Sequence, residues 1–487
     1  MASFDPASVE CPAAHLIGGR IVRAEGVIPL RRPSDGRDFA QCPIADASTV
    51  DAAVSAARVA LAESDWGGIR PRERTRALHR WADLIEVEAE NLARLEAVAS
   101  TRPISELLAG DLPVTVEQIR FFAEFADKEG GAVAPTAEDS LGLITSEPHG
   151  VVGAITPWNF PLSMAAWKIA PALAAGNAVV LKPSELTPFA TLRMAELSVK
   201  AGLPPGLVAV VLGDGPTTGA ALVAHPDVAK VSFTGSTAAG AAIMANIARS
   251  GVKPMTLELG GKSPQVVFAD ADIDLAAASI AGSVLANAGQ ACVAGTRLVV
   301  EAPVADVLVE KIIARLRSIR PGPTWDAATA FAPIISERQL GRVDGIVRAA
   351  LAAGAEALVG GQRLDRDGSF YAPTVLAGVE ASSPAVTDEI FGPVLTVQTF
   401  VDEDEALRLA DHPSYGLAAG LFTRDLSRAL RVTRRLHAGT VWVNRYGRSR
   451  DHILPTGGFK GSGIGKDLGR EAYQANRRSK SVLISFQ

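Results

Sequence analysis

The chain has 487 residues, 48% of them hydrophobic and 21% charged, an ordinary globular balance with more length than one hydrophobic core organises. Two or three domains are expected. The formal net charge is −5 and the basic residues are not clustered, which argues against a nucleic-acid surface, and the short run at 448–450 does not change that.

Residues 1–10 carry two acids and no apolar core of a signal peptide, and no stretch approaches twenty uncharged apolar residues. The expectation is a cytoplasmic protein without a membrane span. Residues 47–130 place apolar side chains at helical spacing, with Ala53, Ala56, Ala57 and Ala60, then Leu78, Trp81, Leu84 and Ile85, on i, i+3, i+4 stripes. From residue 150 the texture changes to short β-branched runs. Strands are predicted at 151–155, 178–181, 208–212 and 228–233, with helices at 162–174, 188–200 and 217–223 between them. That alternation implies a parallel, doubly wound sheet covered by helices on both faces. A second β/α series starts near Gln265 and runs past Pro393, with helices predicted at 307–319, 339–352 and 405–409. No long linker divides the two regions, so they are expected to pack with a cleft between them. The last stretch, 481–486, alternates like an edge strand that finds a partner.

Two residues point to covalent chemistry. Cys292 sits in the small-residue turn Asn287-Ala288-Gly289-Gln290-Ala291-Cys292, where a thiol can approach an electrophile closely. Glu258, in Leu257-Glu258-Leu259-Gly260-Gly261-Lys262, ends a strand ahead of two glycines and can supply a base that activates water. Cys11 and Cys42 read as small buried hydrophobes. Three cysteines in so long a chain are no disulfide framework, and without C-x-x-C or paired histidines they imply no metal.

A dinucleotide is the expected cofactor. Phe233-Thr234-Gly235-Ser236-Thr237 follows a strand and opens a helix, where backbone amides and the helix N-terminus favour a pyrophosphate. The same turn is also an ordinary helix cap, and a G-x-G-x-x-G fingerprint is absent. Lys182-Pro183-Ser184-Glu185 closes another strand, and in doubly wound folds ligands lie beyond the carboxyl ends of strands. Lys182 and Glu185 can hold ribose hydroxyls there; alone, they would read as a solvated pair.

These residues resemble those of the NAD(P)-dependent aldehyde dehydrogenases. The resemblance runs over essentially the full length in an ordered set of motifs. They are Pro157-Trp158-Asn159-Phe160-Pro161, Lys182-Pro183-Ser184-Glu185, Phe233-Thr234-Gly235-Ser236 and Leu257-Glu258-Leu259-Gly260-Gly261-Lys262. Gly289-Gln290-Ala291-Cys292, Glu389-Ile390-Phe391-Gly392-Pro393-Val394 and Gly457-Gly458-Phe459-Lys460 with Ser462-Gly463 follow. The resemblance implies two doubly wound α/β domains, a Rossmann-like cofactor domain (1–129 and 149–260) and a catalytic domain (261–465). A small β segment (130–148 and 476–487) would bridge the subunits of a homodimer or homotetramer. It implies that Cys292 attacks the aldehyde to give a thiohemiacetal and then a thioester, with Asn159 stabilising the oxyanion and Glu258 activating water. A thiol with a pKa of ~8.5 is mostly protonated at neutral pH, so its surroundings must activate it. By the same matching, the cofactor is held by Ile155, Thr156, Pro157, Trp158, Lys182, Ser184, Glu185, Gly215, Gly219, Phe233, Thr234, Gly235, Ser236, Leu259, Gly260, Gln339, Glu389 and Phe391. Glu185 would repel a 2′-phosphate, which favours NAD, with NADP as the alternative.

The substrate side departs from the family pattern. Thr456 stands where many members have phenylalanine, and the small Ala286 precedes Asn287. The loop Arg445-Tyr446-Gly447-Arg448-Ser449-Arg450-Asp451-His452 is basic. Arg448 or Arg450 can pair with a substrate carboxylate, or be solvated or bridge subunits; Met164 and Trp167 offer an apolar wall, with Tyr446 nearby. A medium-sized aldehyde with a polar or acidic tail is the expectation. The alternatives are an acylating dehydrogenase that uses coenzyme A and, remotely, a non-catalytic binding protein on this scaffold; the carboxylate at Glu258 favours hydrolysis to the free acid.

Overall fold

The structure is a computed structural model that describes residues 3–25, 27–447 and 450–486. Five parallel strands form the centre of the first sheet, in the order Val208–Val210, Ala178–Lys182, Val151–Ile155, Val228–Thr234 and Met255–Glu258. Their residues are mostly apolar and almost all buried, as expected of strands covered by helices on both faces. The chain winds outward from Val151–Ile155 in one direction, then returns to its other side with Val228–Thr234. The topological switch point therefore lies beyond Ile155 and Thr234, where a doubly wound sheet opens a crevice.

The second sheet runs Glu356–Val359, Thr374–Ala377, Val394–Phe400, Arg297–Glu301, Pro264–Val267, Ala418–Phe422 and Thr440–Val443. All neighbours are parallel except the first pair. A third sheet has three antiparallel strands, Arg477–Ser485, Ser140–Pro148 and Ala132–Ala134. The predicted C-terminal strand is thus present, begins earlier, and pairs along its whole length from Arg477 opposite Pro148 to Ser485 opposite Ser140. Among the described residues no helix is long and apolar enough to cross a membrane.

Several edges differ from the sequence expectation for physical reasons. The strand predicted over 208–212 stops at Val210 because the Leu212 N–H donates to His15 Nδ1 at 3.1 Å and its carbonyl accepts from Ala45 N at 2.8 Å. The helix expected over 217–223 begins earlier, as a π-helical turn Gly215–Gly219 capped by Asp214, which accepts from Thr217 N, and continues as Ala220–Ala224. Gly463–Ile464, expected with the second region, pairs antiparallel with Leu257 and Glu258 and so extends the first sheet. The helix Pro161–Ala174 is buried along its entire length, consistent with its apolar circumference. It carries the residues just after Asn159 into the molecular interior.

Candidate active site

A cavity of about 720 Å³ lies between the two sheets. From the first region it is lined by Trp158, Asn159, Thr234 and Leu259, and from the second by Cys292, Gln339, Glu389 and Phe391. The expected cleft is therefore present, and residues distant in sequence meet in it.

Cys292 follows a backbone turn of unusual shape. After the helix Ile273–Leu285, three consecutive residues are left-handed: Asn287 (φ 50°), Ala288 (φ 50°) and Gly289 (φ 71°). For non-glycine residues this conformation costs roughly 1–2 kcal/mol each, so the surroundings must hold it. Gly289 is required there twice over, by its φ and because a Cβ would stand 2.2 Å from Gly392 O. The holding bonds are all buried. Gln290 Nε2 donates to Asn287 O (2.9 Å) and Pro333 O (3.0 Å), and Gln290 Oε1 accepts from Ile335 N (2.9 Å). Asn287 Nδ2 donates to Asn159 O (3.0 Å) and Gln290 O (3.2 Å), while Thr101 Oγ1 donates to Asn287 Oδ1 (2.5 Å).

Asn159 is joined to the same turn. Its Nδ2 donates to Gln290 O at 3.0 Å, which uses one of the two N–H groups of a carboxamide and leaves the second for another acceptor. Glu258 is buried at the end of Met255–Glu258, but it is not on the cavity wall. A Cβ built on Gly457 would lie 2.7 Å from Glu258 Oε1, so the carboxylate is turned toward the Gly457 backbone. Thr456, expected at the tunnel, is also behind the wall: it is buried, and its backbone pairs with that of Asp467. Asp467 in turn holds Lys168 Nζ at 2.5 Å in a buried ion pair.

The residues expected to hold a cofactor lie around the switch point. Ile155, Thr156, Lys182 and Phe233 with Thr234 stand at adjacent strand ends, with Thr156 N donating to Lys182 O at 3.1 Å. Lys182 pairs with Glu185 at 3.3 Å, and Ser184 Oγ accepts from Leu186 N at 3.3 Å. Gly215 and Gly219 bracket the π-helical turn after the third of these strands. Ser236 caps the helix Thr237–Ser250 by accepting from Ala239 N at 3.2 Å. Pro157, Trp158, Thr234, Gly235, Ser236, Leu259 and Gly260 line the cavity itself.

The opposite bank of this groove comes from the second region. Glu389 Oε1 accepts from Gly261 N at 3.0 Å, and a Cβ on Gly260 would lie 2.2 Å from Glu389 Oε2, so a side chain at 260 would push the Glu389 carboxylate aside. Burial pushes the Glu389 carboxyl up to about 7, against the opposing pull of the Gly261 N–H, Arg342 and Lys262. Gln339 Nε2 donates to Ile390 O (2.9 Å) and Phe391 O (3.0 Å), pinning a turn in which Phe391 has φ 57°. The Phe391 ring meets the Trp158 ring edge to face, with centroids 5.2 Å apart.

On the substrate side, Met164, Trp167, Tyr446 and Arg450 all line the cavity. Tyr446 Oη donates to Val293 O at 2.7 Å, next to Cys292. Arg450 is mostly exposed, donates to Ala109 O at 3.3 Å and faces Glu117 at 3.9 Å. Arg448 lies outside the described residues. The sequence reading missed Thr101, Asp111, Gln118, Ser163 and Arg342, of which the last four are on the wall. Only for Asp111 and Gln118 is there a signal, their spacing with Val114 along one helix face, and spacing alone does not say what that face meets.

Comparison with known proteins decides the family. A sequence profile described as "Aldehyde dehydrogenase family" matches residues 21–482. The chain belongs to the aldehyde dehydrogenase family. Relatives in this family include the cytosolic 10-formyltetrahydrofolate dehydrogenase of Mus musculus, 40% identical over 98% of this chain and 54% of that protein. The protein of the same name from Xenopus tropicalis is 38% identical over the same shares. The chain thus spans about half the length of the curated relatives it matches. Among solved structures, an indole-3-acetaldehyde dehydrogenase mutant of P. syringae in complex with NAD+ and IAA is 40% identical, with a TM-score of 0.96 over 99% of this chain and 98% of that one. A gamma-glutamyl-gamma-aminobutyraldehyde dehydrogenase from Burkholderia cenocepacia is 42% identical, with the same TM-score and coverage.

Proposed function

We propose that the protein oxidises an aldehyde to the carboxylic acid with NAD as cofactor. The observation that carries this reading is Cys292 and Asn159 on one cavity wall, tied together through the Gln290 carbonyl. Cys292, its thiol proton given up to water, attacks the aldehyde carbon as the thiolate to give a thiohemiacetal oxyanion. The Asn159 N–H not engaged by Gln290, with the Cys292 backbone N–H, donates to that oxyanion. One such donor is worth roughly 3 kcal/mol in the transition state. NAD, when bound, supplies the hydride acceptor. The resulting Cys292 thioester is hydrolysed by a water from which Glu258 takes a proton, after the carboxylate turns from Gly457 into the cavity.

The residues present fit a dinucleotide. The glycine at 260 leaves no side chain between Glu389 and the groove floor, the capped helix Thr237–Ser250 presents its N-terminus at Ser236, and a buried carboxylate in Glu389 suits ribose hydroxyls. Glu185 beside Lys182 favours NAD over NADP through repulsion of a 2′-phosphate. We assign 1–129 and 149–260 to cofactor binding, 261–465 to catalysis, and 130–148 with 476–487 to subunit bridging in a homodimer or homotetramer. The wall of Phe160, Met164, Trp167 and Leu468 suits a medium-sized substrate. The acidic-tail version of that substrate rests on Arg450, whose charge Glu117 already faces; a polar, uncharged tail fits better.

Two variants test the mechanism. Cys292→Ala is expected to abolish aldehyde-dependent NADH formation. Glu258→Gln is expected to release NADH once and then stall as a thioester, seen as a mass increase on the intact protein. Steady NADH formation by Cys292→Ala would overturn the assignment. A thioester product in the presence of coenzyme A, in place of free acid, would favour the acylating alternative.

A further inference from the structure

The tail end of the cavity lies between two packed helices, Leu112–Phe125 and Pro161–Ala174. Asp111, Val114 and Gln118 fall at i, i+3 and i+7, one helical face, and Ser163, Met164 and Trp167 face them across the gap. All six line the cavity. The surrounding wall of Val114, Phe160, Met164, Trp167 and Leu468 is apolar, so the polar stripe of Asp111, Gln118 and Ser163 interrupts it.

That stripe is removed from bulk water yet has hydrogen-bonding capacity to spare. Gln118 is 1% and Ser163 8% exposed. They meet only at 3.3 and 3.4 Å, the weak end of hydrogen-bond geometry. A carboxamide carries two donors and two acceptor lone pairs, and a hydroxyl adds one donor and two more, so the pair cannot satisfy itself. Asp111 is held rigidly by Arg102, which donates from Nε at 2.7 Å and from Nη2 at 3.1 Å. Arg102 also pairs with Glu106 at 2.8 Å and lies over the Phe160 ring at 4.8 Å, so its charge is spent behind the wall. A buried polar group costs free energy unless something bonds it, and an alkyl tail would bond neither Gln118 nor Ser163. A carboxylate tail would meet the Asp111 carboxylate, and Arg450, which lines the same cavity beside Ala109, already faces Glu117.

We propose that Asp111, Gln118 and Ser163 form a tail-recognition subsite that selects aldehydes bearing a neutral hydrogen-bonding group, an amide or hydroxyl, remote from the aldehyde carbon. This rests on the aldehyde-oxidation reading above and names its substrate class. Sites that hydrogen-bond a substrate group discriminate against analogues lacking it more strongly than apolar pockets discriminate by size.

The test measures kcat/KM for NADH formation with three aldehydes of equal length, ending in methyl, primary amide or carboxylate. Wild type is expected to prefer the amide over the methyl end by about 10-fold or more, with the carboxylate poorest. Gln118→Leu and, separately, Ser163→Ala are expected to shrink the amide-to-methyl ratio toward unity, and either variant suffices if the other does not fold. An unchanged ratio in both variants, or a preference for methyl or carboxylate in wild type, overturns the subsite while leaving aldehyde oxidation standing. No NADH from any of the three overturns the oxidation reading and this inference with it.

Discussion

Asn287 and Ala288 hold left-handed backbone without being glycine, and a side chain far away in sequence helps to keep them there. Thr101 Oγ1 reaches across 186 positions to Asn287 Oδ1. Because the Asn287 oxygen is fixed, its Nδ2 is aimed at the Asn159 and Gln290 carbonyls, and Asn159 in turn aims its own amide at Gln290. Thr101 is thus a positioning residue for both the turn that carries Cys292 and the Asn159 amide. Thr101→Val keeps the shape and removes the donor, leaving a buried carbonyl oxygen unsatisfied at a cost of about 1–3 kcal/mol. The expected outcome is a fall in kcat of about 10-fold or more with KM for NAD unchanged, and recovery in Thr101→Ser. Full activity in Thr101→Val with loss in Thr101→Ser would mean that the methyl group matters and the hydroxyl does not. Cys292, Glu258 and Asn159 could be singled out because their motifs suggest chemistry locally, and two of them, Cys292 and Asn159, meet on the cavity wall. Thr101 was not, since its partner is supplied by the tertiary fold and nothing in its own neighbourhood marks it.

The helix Pro161–Ala174 shows what an element needs when it is wholly buried. Its first N–H groups have no helical partners, and Leu162 N donates to Glu96 Oε2 at 3.1 Å. Glu96 is itself buried, its Oε1 has no hydrogen-bond partner among the described residues, and burial, aided by the charge of Asp111, pushes its carboxyl up to about 8 from 4.5. A carboxyl whose pKa is raised by folding favours the folded state fully below its unfolded pKa, and that contribution drains away as pH rises from 4.5 through about 8. Glu96→Gln is neutral at every pH and can still accept from Leu162. The melting temperature of the variant is therefore expected to gain on wild type between pH 6 and pH 9, by about 2 °C or more. A difference that stays constant over that range would show Glu96 to be ionised throughout. At this scale the sequence was most readable in its centres: the parallel strands and long helices were predicted near their observed places. One misplaced edge is where remote groups take the backbone bonds, as His15 and Ala45 do at Leu212. Periodicity carries no information about such partners.

For the molecule as a whole, the absence of a linker between the two β/α regions was enough to expect a cleft. The return of Gly463–Ile464 to the first sheet was not foreseeable, because two residues are too short for a pattern. The small third sheet poses the remaining question of assembly. Among the described residues Arg477–Ser485 has a strand partner on one side only, and Leu483 and Ile484, which as consecutive strand residues point to opposite faces, are 68% and 44% exposed. Leu141, Ile144 and Val133 on the adjoining strands are exposed as well. A three-stranded sheet with apolar side chains open on both faces and an unpaired edge lacks a core of its own, and edges of this kind invite pairing. Another copy of the chain would cover it. Light scattering on the purified protein is expected to give the mass of a dimer or tetramer. Replacing Leu483 and Ile484 together by lysine, which places charge on both faces while leaving the backbone ladder to Ser140–Pro148 in place, is expected to shift that mass toward the monomer. A wild type that is already monomeric at micromolar concentration would leave both faces of this sheet to solvent and remove the bridging role from 130–148 and 476–487.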